Sequence, residues 1–213
     1  ELFLQPCMHL CGICNEPNAG ISTNITWDRE LQDIATLYQL AANKDKAISD
    51  PDELLNPTLF YEGKYGYGRG TRLAVYTDGS CALPKHETLA HAGWGVAFGA
   101  KGCSSNTFDC LYSTVQSSYR AELRAIAHVL AVSKCNMVVL CDCKSIVNSL
   151  KDYQDNSIRR DDNPAPELWN FIYDMLDVLP TEQLVFQWIP SHLDDPRKAK
   201  ERSKHLEAGT TCN

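Results

Sequence analysis

Residues 73–80 read LAVYTDGS. Four apolar residues lead into an aspartate and a glycine, so a strand delivers a carboxylate at the point where a turn is expected. Asp and Gly open turns on their own account, and Asp78 taken alone is a loop residue. Its meaning depends on whether other carboxylates stand where a fold would bring them to it.

Outward from this stretch the pattern is regular. AGWGVAFG (92–99) and TFDCLYS (107–113) read as two further strands, and short turns make the three an antiparallel meander. SSYRAELRAIAHVLAVSK (117–134) carries Leu123, Ile126, Ala127, Leu130 and Ala131 at helical spacing. NMVVLCD (136–142) is almost wholly apolar, as the buried middle of a sheet requires. A helix follows from CKSIVNSLKD (143–152). After the loop DNSIRRDDNPAP (155–166), PELWNFIYDMLDVL (166–179) is a helix with Pro166 at its start. LVFQWIP (184–190) is a fifth strand. The order β-β-β-α-β-α-α-β predicts an α/β fold, a mixed five-stranded sheet with flanking helices.

In that fold three acids fall at related places. Asp78 ends the first strand, Glu122 lies in the first turns of the first helix, and Asp142 ends the strand after that helix. Taken singly, Glu122 suits a helix N-terminus and Asp142 an N-cap. Jointly they crowd one sheet edge, where α/β sites form. Gathered carboxylates repel one another unless a cation joins them, and oxygen-rich sites suit Mg²⁺ or Mn²⁺.

YTDGS (76–80), YRAEL (119–123), VVLCD (138–142) and WIPSH (188–192), in this order, resemble the ribonuclease H family, most closely the RNase H domains of retroelement polyproteins. The resemblance covers roughly residues 73–195. It implies an RNase H-like fold and a metal-dependent endonuclease that hydrolyses the RNA strand of an RNA–DNA hybrid. It maps the metal-binding, catalytic acids onto Asp78, Glu122 and Asp142, holding two Mg²⁺ or Mn²⁺ ions with substrate. The family's mobile-loop histidine, which assists product or proton movement, maps onto His192. One departure stands out. The family carries a fourth carboxylate shortly after the histidine, opening a final helix, but Arg202 occupies that place. Either RKAKERSKHLEAG is an insertion before an acid further along, or the site is defective. The final helix is therefore not assured. The competing reading is a non-catalytic RNase H-like structural or interaction subunit of a larger assembly; a third is a DNA-cutting relative of integrases or resolvases.

A hybrid duplex is recognised by its shape and its 2′-hydroxyls. Ser80, Ser117 and Ser118 are suited to such contacts, and Arg120 to a phosphate, although turn and cap chemistry explains the serines equally well. RKAKERSK (197–204) has five basic residues in eight and could attract a phosphate backbone; a solvated charged face is the plainer alternative. Arg159 and Arg160 lie where some family members place a basic protrusion, but Asp161 and Asp162 neighbour them.

Residues 1–72 read as an appendage, residues 73–213 as the RNase H-like domain. The appendage holds a helical segment near 28–48 and an irregular connector rich in Gly, Pro and Tyr. Cys7, His9, Cys11 and Cys14 resemble a zinc-ligand cluster with a C-x2-C hook, but lack a second pair at the usual distance. Across the 213 residues the net charge is −7 and there are ten cysteines. The charge argues against a protein coated in nucleic acid, without excluding a local basic surface. Cys135, Cys141 and Cys143 beside a buried strand suit an intracellular reducing compartment, cytoplasm or nucleus, with an organelle also open. No apolar run reaches the roughly 20 residues a membrane helix needs. Other modules of a polyprotein, or subunits of a larger complex, are the expected partners besides the hybrid.

Overall fold

A computed structural model describes residues 27–43, 60–62, 71–86, 88–98, 106–133, 135–160, 162–181 and 183–191. In chain order the elements are α1 (Trp27–Ala42), β1 (Phe60–Glu62), β2 (Thr71–Ala82), β3 (His91–Phe98), β4 (Thr107–Cys110), α2 (Ser118–Val132), β5 (Met137–Cys141), α3 (Lys144–Asn156), α4 (Pro166–Val178) and β6 (Leu184–Trp188). The sheet order is β4-β3-β2-β5-β6. β2, β5 and β6 are parallel, while β3 and β4 run antiparallel to their neighbours. This is the mixed five-stranded sheet with flanking helices that the pattern implied.

Two expectations need correcting. The connector before residue 73 is not wholly irregular: Phe60–Glu62 forms β1 and pairs with Thr71–Leu73 of β2, a sixth strand. Nor does β2 end at Asp78. It continues to Ala82 because β3 pairs with it throughout, setting Asp78 opposite Gly95 and Gly79 opposite Trp94. Ladder hydrogen bonds from a distant segment override the local turn preference of Asp-Gly. Pairing with β5, by contrast, stops at Thr77↔Cys141. Asp78 therefore stands at the carboxyl edge of the parallel half of the sheet although its own strand runs on.

Alternation along the strands gives the sheet two apolar faces. Leu73, Val75, Trp94, Val96, Phe98, Met137, Val139 and Phe186 join the main core with residues of α2, α3 and α4; Ala74, Val138 and Leu140 form a smaller cluster on the opposite side. α1 belongs to the segment read as an appendage, yet it shares the main core. Leu37 is completely buried there, Ile34, Leu40 and Ala41 pack against it, and α1 touches α2 and α4. Leu31, expected on the apolar face, is 63% exposed.

Candidate active site

The register of β2 on β5 assembles the site. Thr77 faces Cys141 across the parallel ladder, so Asp78 and Asp142 are the next residues along on neighbouring strands, which lie roughly 4.8 Å apart. Glu122 arrives from α2. Its Oε1 accepts a 2.9 Å hydrogen bond from the backbone N–H of Gly79. Ligand atoms of Glu122, Asp142 and Cys141 all lie within 4.8 Å of one another.

Gly79 permits this approach. A Cβ at that position would stand 2.3 Å from the Glu122 nitrogen and 2.6 Å from the Ala121 carbonyl carbon. Both are backbone atoms, so no side-chain rotation relieves the clash. The glycine that looks like a turn former is the seat on which the first turns of α2 rest.

Burial pushes the Glu122 carboxyl up to about 10, with the Asp142 and Asp78 charges and a hydrogen bond to Asp142 adding to it; the Gly79 N–H opposes the shift. No cationic side chain enters this balance. The donor set is thus a buried carboxylate that is unfavourable to ionise until positive charge is supplied. A divalent cation with oxygen ligands fits Asp78, Glu122 and Asp142. The neighbouring Cys141 thiol is buried and donates to Glu122 Oε2 at 3.7 Å, and the Cys143 N–H donates to its sulfur at 3.3 Å. Burial raises its pKa, and the Glu122 charge raises it further.

Asp142 is not the helix cap that its position suggests. Cys143 occupies the N-cap of α3 and makes no side-chain capping bond, leaving the Asp142 carboxylate to the cluster. Trp188 of WIPSH steadies it from behind: its indole Nε1 donates to the Asp142 carbonyl at 2.9 Å.

The other candidate residues divide. Ser80 is exposed two residues beyond Asp78, and Ser118 is exposed at the start of α2. Ser117 is the N-cap of α2, its hydroxyl accepting from the Arg120 N–H, so cap chemistry accounts for it. Arg120 does not fit a phosphate contact: its guanidinium is buried and pairs with Glu30 of α1 and Glu167 of α4. The arginine of YRAEL looked accessible because α1 could not be foreseen lying across it. Arg159 pairs with Asp174 and Asp177, and Arg160 with Asp152, so their charge is offset at the surface. His192, Cys7, His9, Cys11, Cys14 and the RKAKERSK run lie outside the described residues. Gly79, Cys141 and Trp188 were missed as site residues. Gly79 carried a legible signal, since a glycine inside a strand often marks close backbone approach; the other two depend on register.

The family model for RNase H matches residues 70–203. No curated protein matches the chain. Among solved structures it is similar to a foamy virus protease–reverse transcriptase in complex with double-stranded DNA, at 14% identity over 60% of this chain and 87% of that one, TM-score 0.45. LC11-RNase H1 in complex with an RNA/DNA hybrid is 19% identical over 61% and 92%, TM-score 0.40. LC11-RNase H1 isolated from compost by a metagenomic approach is 18% identical over 66% and 99%, TM-score 0.38. The family match spans the strands and helices that carry Asp78, Glu122 and Asp142, and this chain belongs to the RNase H family.

Proposed function

We propose that the chain is a divalent-metal-dependent endonuclease that hydrolyses the RNA strand of an RNA–DNA hybrid. The observation that carries this reading is Glu122, buried and raised by the charges of Asp142 and Asp78 with no cation acting on it among the described residues, in a chain of the RNase H family. Asp78, Glu122 and Asp142 are the residues that would hold Mg²⁺ or Mn²⁺. When bound, such an ion activates a water and stabilises the leaving oxygen of a phosphodiester.

The chain's own groups set the geometry. Gly79 N–H orients Glu122, and the Trp188 indole holds the Asp142 backbone. Ser80, exposed two residues beyond Asp78, would make a 2′-hydroxyl or sugar contact. His192 follows Ser191, and near neutral pH an imidazole there moves a proton or eases product departure. The retroelement setting and association with other polyprotein modules rest on YTDGS, YRAEL and WIPSH. A reducing compartment rests on Cys135 and Cys141, buried beside and within β5. Among the described residues no helix is long and apolar enough to cross a membrane.

The test is an end-labelled hybrid incubated with the protein across a Mg²⁺ and Mn²⁺ titration, beside duplex DNA and single-stranded RNA. Cleavage of the RNA strand in the hybrid alone is expected. Asp142→Asn should lower it by about a thousandfold, the loss of several kcal/mol of transition-state stabilisation. A folded parent chain that cuts nothing would favour the non-catalytic subunit; cleavage of duplex DNA would favour the integrase-like alternative.

A further inference from the structure

α1 lies outside the family match, which begins at residue 70, yet it is packed against the helix that carries Glu122. Arg120 and Arg124 are one turn apart and share a face of α2, while Glu122 lies about 200° around the helix from Arg120. Both arginines are buried and directed to α1. Arg124 makes a bidentate pair with Asp33, Nε to Oδ2 at 2.6 Å and Nη2 to Oδ1 at 2.7 Å. Arg120 pairs with Glu30. Glu30 also accepts from the Ser113 hydroxyl and from the Thr114 N–H and hydroxyl, tying the loop before α2 to the same point.

A second path leads from Asp33 toward the site. Arg124 stacks over the Trp94 ring at 4.4 Å. Trp94 is the β3 partner of Gly79, whose N–H orients Glu122. The helix is therefore held on one side by the Gly79 seat and on the other by the α1 carboxylates. Even so, Arg120 Nε and Arg124 Nη1 are buried without a hydrogen-bond partner. These guanidiniums have few alternatives if Glu30 and Asp33 are lost, and α2 must then move to hydrate them.

We propose that Glu30 and Asp33 of α1 are positioning residues for Glu122: they set the rotation and seating of α2, and with them the affinity of the carboxylate cluster for a divalent ion. The inference rests on the proposed metal site, but it is tested without cleavage. Mn²⁺ binding to the free protein is followed by electron paramagnetic resonance for the parent, Asp33→Asn, Glu30→Gln, Asp33→Glu and Tyr38→Phe. All are measured below the lowest melting temperature, with folding checked by circular dichroism. Tyr38→Phe removes the 2.7 Å bond from α1 to Asp174 of α4 and leaves the Glu30 and Asp33 pairs with α2 in place.

Asp33→Asn and Glu30→Gln should weaken Mn²⁺ binding by about tenfold, the low end for residues that support metal ligands at one remove. Asp33→Glu should restore most of the affinity. Tyr38→Phe should lower the melting temperature while leaving affinity unchanged. Loss of affinity in the two carboxylate variants supports the proposal whether or not the parent cuts a hybrid, so failure of the nuclease reading is told apart. Parent-like affinity in folded Asp33→Asn and Glu30→Gln overturns it, and so does an equal loss in Tyr38→Phe.

Discussion

Helix α2 carries ionisable groups on two sides, and their charge is handled in opposite ways. Toward α1, Arg120 and Arg124 meet Glu30, Glu167 and Asp33. Toward the sheet edge, Glu122 meets Asp142 and Asp78, charges of its own sign. Glu122 and both arginines are buried, while Asp78 and Asp142 are half-buried. In one, the arginines are paired with carboxylates from other helices; in the other, among the described residues, no cation acts on Glu122. An ion-pair network completed from within the chain is structural, whereas a buried carboxyl that no described cation accompanies is the pattern expected of a functional site.

The comparison can be broken most strongly by pH. With its folded value near 10 against an ordinary 4.5, Glu122 keeps its proton in the native state through the window in which the unfolded chain has lost it. The native state then binds more protons, so stability falls as pH rises from 4.5 toward about 10. Each decade of pH in that window costs up to about 1.4 kcal/mol per such group. Thermal unfolding in a chelator should show a midpoint that declines from about pH 5 to about pH 9. Glu122→Gln should flatten the decline, and added Mg²⁺ should oppose it. A parent midpoint that rises through this range would sink the reading of an uncompensated cluster. His128 acts lower on the scale and with the other sign: burial and the Arg124 charge bring it down to about 4, so its contribution is lost as pH falls below its ordinary 6.5.

The next effect sharpens the paired side. Arg124→Leu strands Asp33 and removes the cation over Trp94. Breaking a buried pair from one side costs about 3 kcal/mol, to be read as a lowered denaturant midpoint. The smallest effect comes from a pairing that looks similar on paper. Arg159 holds Asp174 and Asp177, but these side chains are 41–48% exposed. Exposed pairs contribute about 0–1 kcal/mol, and Arg159→Ala should shift the midpoint by no more than that. A loss there equal to that of Arg124→Leu would mean that burial is not what separates the two kinds of pair.

Much of this was legible from residues alone. The periodicity of SSYRAELRAIAHVLAVSK and the apolar run NMVVLC mark α2 and β5 because each signal is local, set by which side chains recur on one face. The motifs named three acids and a histidine; Asp78, Glu122 and Asp142 lie within the described residues and His192 does not. What misled was local chemistry overruled at a distance. Asp-Gly does not turn because β3 pairs with it. Asp142 does not cap α3 because the cap falls one residue later. Arg120 does not face solvent because α1 lies on it.

The order of the elements and the family follow from side-chain spacing and short motifs, and so does the naming of Asp78, Glu122 and Asp142 as candidates. Only the tertiary structure decided what surrounds those carboxylates. Glu122 is buried, Gly79 is its seat, Cys141 and Trp188 flank Asp142, and a helix read as part of an appendage braces α2. The physical reason is that burial, register and charge compensation are properties of pairs distant along the chain, from Glu30 to Arg120 or Gly79 to Glu122. No local pattern encodes which distant partner arrives.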